Sequence, residues 1–249
     1  MLMKSLTKKY WRETRNSLAQ SRQQVIEMAK VTDPQNLKAM LPNLLEIEPI
    51  QNQLSKIWGD VGGQFAKDTS KAISRSKKAD ANTTDWTARM RAYAYERSLV
   101  KTKATKILST QEQLINNEID RIIEHSMAEG LSVENTRTMM VDTLSGWDSA
   151  LVEMENYQAE RIARTECISA GNSGSFEAAK EVEGILKEWL HSGILSIGYR
   201  ENHVEYQGMG VQDMDFEYAP GLQYPGDPAG DKDEVINCRC GILFDTQFE

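Results

Sequence analysis

The chain is 249 residues long, 40% apolar and 27% charged, with a formal net charge of −8. That length allows one large domain or two small ones with a real core. The acidic balance argues against a dedicated duplex-DNA binder acting through its whole surface, because such binding is driven by phosphate neutralisation.

Read in chain order, the first two thirds are helical. Tyr10, Leu18, Val25 and Met28 recur at helical spacing, and Asp33-Pro34 pairs a capping side chain with a residue suited to the first helical turn. Ile47, Ile50, Leu54, Ile57, Val61 and Phe65 form a clean apolar stripe with Trp58 beside it. Gly59, Gly62 and Gly63 predict a break or a close helix crossing there. The polar, basic stretch from Lys67 to Asn82 reads as a link, with continuation of the helix as the alternative. Asp85 is expected to cap one long helix whose stripe runs through Leu108, Ile115, Ile119, Ile122 and Ile123 to a stop before Gly130. Ser132 caps the next helix, with Glu134 in its first turn, and Leu144-Ser145-Gly146 ends it. Asp148 is the expected cap of a helix running toward Gly171, and a separate helical piece follows from about Ser175 to Glu183.

After Gly184 the prolines, glycines and aromatics cluster and helical periodicity is lost. Ile185 to Leu190 reads as a strand, Glu201 to Gln207 as a short helix, and Val235 to Phe244 as a second strand entered from the rigid turn Pro225-Gly226-Asp227-Pro228. The expected class is therefore α+β, with a helical arm and bundle over 1–150 and a small α+β domain over 151–249. Trp189, Tyr199, Tyr206, Phe216, Tyr218 and Tyr224 are the expected core of that domain.

No apolar run reaches the length of a membrane span, and the amino terminus carries no hydrophobic stretch of signal-peptide length. Assembly in the cytoplasm is the expectation. Charge is unevenly spread: the segments 1–30 and 68–106 are basic, while the chain from Glu201 onward is strongly acidic. Such a distribution belongs to solvated helix faces, or to a basic half that meets nucleic acid or an acidic partner.

Three clusters can carry chemistry. On a strand, Cys238 and Cys240 would share a face with Ile236, Ile242 and Phe244, the setting of buried core thiols. A metal there needs two further ligands, and His203 and Cys167 are the candidates for a Cys/His zinc site. Glu166 occupies an apolar stripe position on its helix, so it needs a cation or hydrogen bonds; Arg200 and Arg239 are the natural partners. Arg200 and His203 share a helix face, and with Glu166 and Arg239 they form either a structural polar cluster or a nuclease- or transferase-like pocket with His203 as base. No glycine-rich phosphate loop, nucleophile elbow or paired-carboxylate motif accompanies them.

Taken in order, several pieces resemble the Mu F-like phage head morphogenesis family of minor head proteins. These are Arg161-Ile162-Ala163-Arg164-Thr165-Glu166, Ala170-Gly171-Asn172, Lys187-Glu188-Trp189-Leu190, Arg200-x-x-His203 and Gly208, then Phe216, Pro220-Gly221, Tyr224 to Pro228 and Val235 to Cys240. The resemblance covers roughly the last hundred residues. It implies a minor virion component present in few copies, associated with the portal vertex and serving head assembly or DNA delivery. The family commonly has an acidic residue shortly before the Arg-x-x-His piece, whereas Ser192 to Tyr199 holds none here. The expected function is accordingly associative and not catalytic. Its partners would be the portal and other head proteins, and packaged DNA through the basic segments. Glu166, Arg200, His203, Asn237 and Arg239 would be the cement of the carboxyl-terminal lobe, with no required cofactor. The rivals are a phage-borne nuclease or transferase effector and a zinc-stabilised binding module.

Overall fold

A computed structural model describes residues 2–77, 84–145, 150–193 and 200–246. Its helices are α1 (Leu2–Ser21), α2 (Gln23–Ala29), α3 (Pro34–Leu44), α4 (Glu48–Ile57), α5 (Gly63–Lys77), α6 (Trp86–Glu96), α7 (Leu99–Ala128), α8 (Val133–Ser145), α9 (Ala150–Ala179), α10 (Glu201–Gly208) and α11 (Lys232–Val235). Three strands, β1 (Ile185–Leu190), β2 (Val211–Asp213) and β3 (Gly241–Thr246), form an antiparallel sheet in the order β2-β1-β3. The class is α+β, a long helical region followed by a small sheet near the carboxyl end. No helix among the described residues is long and apolar enough to cross a membrane.

The local signals that set helix ends act as their chemistry requires. The Asp33 carboxylate accepts from the Gln35 amide, Asp85 from Ala88 and Ser132 from Asn135, each satisfying an orphan first-turn N–H. Gly130, at φ +63°, follows the carboxyl end of α7. The glycine-rich break is a π-helical turn over Trp58–Gly62, joining α4 to α5.

Four expectations are corrected. The link begins later than Lys67, because α5 persists to Lys77; its remainder to Asn82, like Gly146, Asp148 and Tyr199, lies outside the described residues. Asp85 caps a short helix, and α7 starts afresh after Ser98, whose φ of +54° breaks the helical path. The stretch 150–179 is one helix, since Gly171 and Gly174 are held inside it by packing. The second strand is confined to β3: α11 takes Val235, and Asn237, at φ +64°, turns the chain before the sheet begins. Strand β2 carries too short a pattern to be recognised in the sequence.

The chain divides into two compact units, one of Met1–Tyr10, Ser55–Leu99 and Arg161–Glu249, the other of Trp11–Leu54 and Val100–Glu160. The division thus differs from a single cut at 150, and the unit with the sheet also takes in Ser55–Leu99. The second unit is a helical bundle with Val25, Leu37, Leu41, Ile115, Ile119, Ile122, Met140, Leu144 and Leu151 in its core. Within it the buried Arg22 and Glu155 pair, and Gln111 donates to the Leu18 carbonyl at 2.7 Å. Burial pushes the Glu155 carboxyl up, against the pull of the Arg22 guanidinium.

In the first unit, α9 crosses the π-helical turn at backbone contact. A Cβ on Gly174 would lie 2.0 Å from the Gly62 carbonyl oxygen. That atom cannot give way as a side chain can. Gly174→Ala is expected to lower the unfolding free energy by roughly 2–3 kcal/mol. Gly208→Ala, where a Cβ meets nothing within 4 Å, should stay within about 1 kcal/mol of wild type or above it. Denaturant midpoints of the two variants measure the contrast, and equal midpoints would contradict the crossing.

Candidate metal centre and its supporting lattice

Strand β1 alternates, burying Ile185, Lys187 and Trp189. Trp189 is the hub of the sheet-side core. Its ring meets His203 at 4.8 Å and Tyr206 and Tyr218 each at 5.1 Å, all edge-on. Of the expected aromatic core, Trp189, Tyr206 and Tyr218 are joined here, with Phe216 packed at the margin, while Tyr224 packs on Phe176.

Against this core, α10 presents His203 and the segment between α11 and β3 presents the two thiols. His203 Nδ1 lies 3.7 Å from Cys238 Sγ and 3.5 Å from Cys240 Sγ. Its other nitrogen, Nε2, lies 2.7 Å from Glu234 Oε2. His203, Cys238 and Cys240 are all buried, at 2%, 1% and 3% exposure. The bond between the two thiols, together with burial, pushes Cys238 up, and the same bond pushes Cys240 down.

Three ligand atoms within 4.8 Å of one another can hold a metal ion. The donor set suits a borderline or soft ion, being two sulfurs and an imidazole. Zinc bonds of about 2.3 Å to sulfur and 2.0 Å to nitrogen give tetrahedral S···N edges of about 3.5 Å, the separations found here between His203 and the two sulfurs.

Cys167 stands apart from this centre. Its thiol sits on α9, close to Glu166 and hydrogen-bonded to the Thr7 hydroxyl of α1, and is pushed up to about 12 by burial. As a ligand candidate it is therefore corrected: the helix faces α1 at that position.

Glu166 is buried, as its stripe position implies, and accepts from the Trp58 indole at 3.0 Å. Arg200, one of its expected partners, instead donates to the Ile236 carbonyl at 2.7 Å. Asn237 belongs to the lattice: its amide donates to Thr165 Oγ1 at 2.9 Å, and its side chain accepts from Arg164 at 2.7 Å. Arg239 is half-buried between the two cysteines in sequence.

Several residues have roles that sequence reasoning did not assign. Asn172 Nδ2 donates to the carbonyls of Pro225 and Cys240, at 2.8 and 3.1 Å, tying the proline turn to the thiol segment. Ser173, Tyr224 and Tyr93 form a hydroxyl chain with 3.1 Å steps. Asp227 accepts from the amides of Gln223 and Ala229, and burial pushes its carboxyl up. Glu234 gave no signal except its place in an acidic run. Lys187 is fully buried, with Nζ donating to Met214 and Phe216 carbonyls at 2.8 and 2.6 Å. Its position on the buried face of an alternating strand was the available clue.

Among curated proteins, the chain is similar to an uncharacterized protein, YqbB, of Bacillus subtilis (strain 168), with 23% identity over 148 residues. The match covers 57% of this chain and 45% of that protein, so it spans less than half of the relative's length. No family model and no solved structure matches the chain.

Asn172→Ala leaves two buried carbonyls without their donor and should cost roughly 2–4 kcal/mol in chemical denaturation; a cost below about 0.5 kcal/mol would show that the bridge carries nothing. Burial holds the Lys187 ammonium down to about 8 from its ordinary 10.5, with Asp215 and Asp227 opposing. A lysine lowered in the fold costs stability while it must stay charged, and that cost fades as pH rises from about 8 to 10.5. The stability difference between wild type and Lys187→Met should therefore move in favour of wild type across that window. A flat difference would contradict the assignment.

Proposed function

We propose that this chain is a minor head protein of a tailed phage, acting by association and not by turnover. Its helical region would dock on the portal or a neighbouring head protein, while the sheet-bearing lobe serves as a rigid fastening. It would be assembled in the host cytoplasm and reside in the virion head. The observation that carries the reading is the use made of the motif residues. Arg164, Thr165, Asn172, Asn237 and Cys240 lie up to 76 positions apart, and in the fold they bond to one another or to the turn at Pro225. A motif spent on backbone carbonyls, amides and turn geometry is one that maintains a shape.

The nuclease or transferase reading asks more of His203 than its surroundings allow. One ring nitrogen is taken by Glu234 and the other faces two thiols, so a substrate would have to displace a partner already in place to reach either. A zinc ion at the thiol–imidazole centre agrees with a fastening lobe, and Zn2+ is the ion this reading assigns to it. Exposed Lys101 and Lys106 on α7 offer charge for packaged DNA or an acidic neighbour.

The test is direct. Purified heads of the phage that encodes the chain should contain it in low copy number by quantitative mass spectrometry, and the tagged chain should retain the portal protein in pull-down. Heads lacking the chain, together with no portal retention, sink the reading. In parallel, wild type and His203→Ala incubated with DNA and RNA should both leave the nucleic acid intact; cleavage by wild type alone would install the enzyme reading in its place.

A further inference from the structure

We propose that Glu234 is the outer-sphere carboxylate of a Zn2+ centre whose ligands are Cys238 Sγ, Cys240 Sγ and His203 Nδ1. This rests on the zinc assignment above and extends it to a residue outside the ligand set.

The argument begins with the imidazole. A carboxylate only accepts hydrogen bonds, so the 2.7 Å contact with Glu234 Oε2 places the ring proton on Nε2. In the neutral imidazole that metal binding requires, the lone pair is then on Nδ1, the atom that faces both sulfurs. A neutral histidine with its lone pair directed at two thiols is a ligand in the required tautomer, and a carboxylate behind it raises its basicity.

Glu234 is itself held. Its second oxygen accepts from Asn202 Nδ2 at 2.7 Å, and Asn202 also reaches the Tyr206 hydroxyl at 3.1 Å. Asn202 and His203 are consecutive on α10, so one helix presents both the ligand and the clamp on its carboxylate partner. Glu234 lies on α11, whose start is fixed by Asp231 accepting from the Asp233 amide at 2.8 Å. The Arg200 bond to Ile236 ties the following segment to α10, four residues before Cys240. The Trp189 ring against His203 fixes the imidazole plane from the sheet side.

Other occupants fit less well. A hard cation such as Mg2+ or Ca2+ seeks six or more oxygens, and the three converging atoms are sulfur and nitrogen. A nucleophilic cysteine must meet its substrate, and both sulfurs are at most 3% exposed. Three protein donors leave one tetrahedral position for water or an exogenous donor.

The test uses the full chain, purified without chelator, then stripped and titrated with Zn2+ and Co2+ against a chromogenic chelator. Wild type should hold about one Zn2+ per chain and give a Co2+ adduct with thiolate charge-transfer absorption. Glu234→Ala should weaken Zn2+ binding about 10- to 100-fold at unchanged stoichiometry, with the thiolate band retained. Glu234→Gln, whose amide oxygen still accepts from Nε2, should recover part of that loss. Cys240→Ser should remove most of the thiolate band. A wild type that binds no Zn2+ overturns the zinc assignment and this inference with it, leaving the head-protein reading to its own test. A wild type that binds Zn2+ while both Glu234 variants bind it equally well overturns the part given to Glu234 alone. Should Glu234→Ala fail to fold, the Glu234→Gln comparison decides.

Discussion

One buried amide holds the sheet-bearing unit in register. Asn172, on the helix that threads this unit, gives both hydrogens of its amide nitrogen to carbonyls at Pro225 and Cys240. Neither carbonyl belongs to a regular helix or strand, and buried backbone acceptors must find donors somewhere. The helix supplies them from side chains. Around Asn172, Thr165 takes the Asn237 amide, Arg164 takes the Asn237 side chain, and Ser173 meets Tyr224. The small residues between these contacts let irregular backbone approach the helix closely: a Cβ on Gly226 would meet Ser169 at 3.2 Å, and one on Gly174 would strike the backbone of Gly62. The carboxyl-terminal segment thus gets from one helix face what a longer sheet would have provided.

That support decides where the thiols go. The positive φ of Asn237 and the pinned carbonyl of Cys240 shape the intervening turn, and Cys238 and Cys240 both point inward to His203. A regular strand would also have placed the two sulfurs on one face, but about 7 Å apart along it. The turn draws them around one imidazole nitrogen. The thiol–imidazole cluster is therefore a consequence of the helix lattice, and an ion there would in turn tie α10 to the segment that the lattice positions.

The buried charges of the two units are handled by different means. In the bundle, Arg22 and Glu155 neutralise each other. In the sheet unit, Lys187 is surrounded by carbonyl oxygens and the rings of Phe176 and Tyr218, with no carboxylate in direct contact among its hydrogen-bond partners. Carbonyl dipoles offset desolvation less completely than a counter-ion does, so the lysine is drawn toward its neutral form.

The sequence by itself determined what short-range physics controls. The caps at Asp33, Asp85 and Ser132, the glycine break after Trp58, the alternation of β1, the span of α10 and the aromatic core around Trp189 all arise from groups a few residues apart, or from periodicities that a single element enforces. It also determined that Glu166 would be buried, because it sits at an apolar position on its helix; the thiols are buried through the turn at Asn237, not through the strand face expected of them, since Ile236 of that face is exposed. Only the tertiary structure decided who meets whom. Glu166 found the Trp58 indole, 108 positions away, while Arg200 went to the Ile236 carbonyl; Cys167 turned toward α1; and Glu234, one acid in an acidic run, was carried behind His203. A buried polar group announces in sequence that it needs a partner, but that partner is selected by whichever backbone the fold brings within 3 Å, and no local pattern encodes that distance.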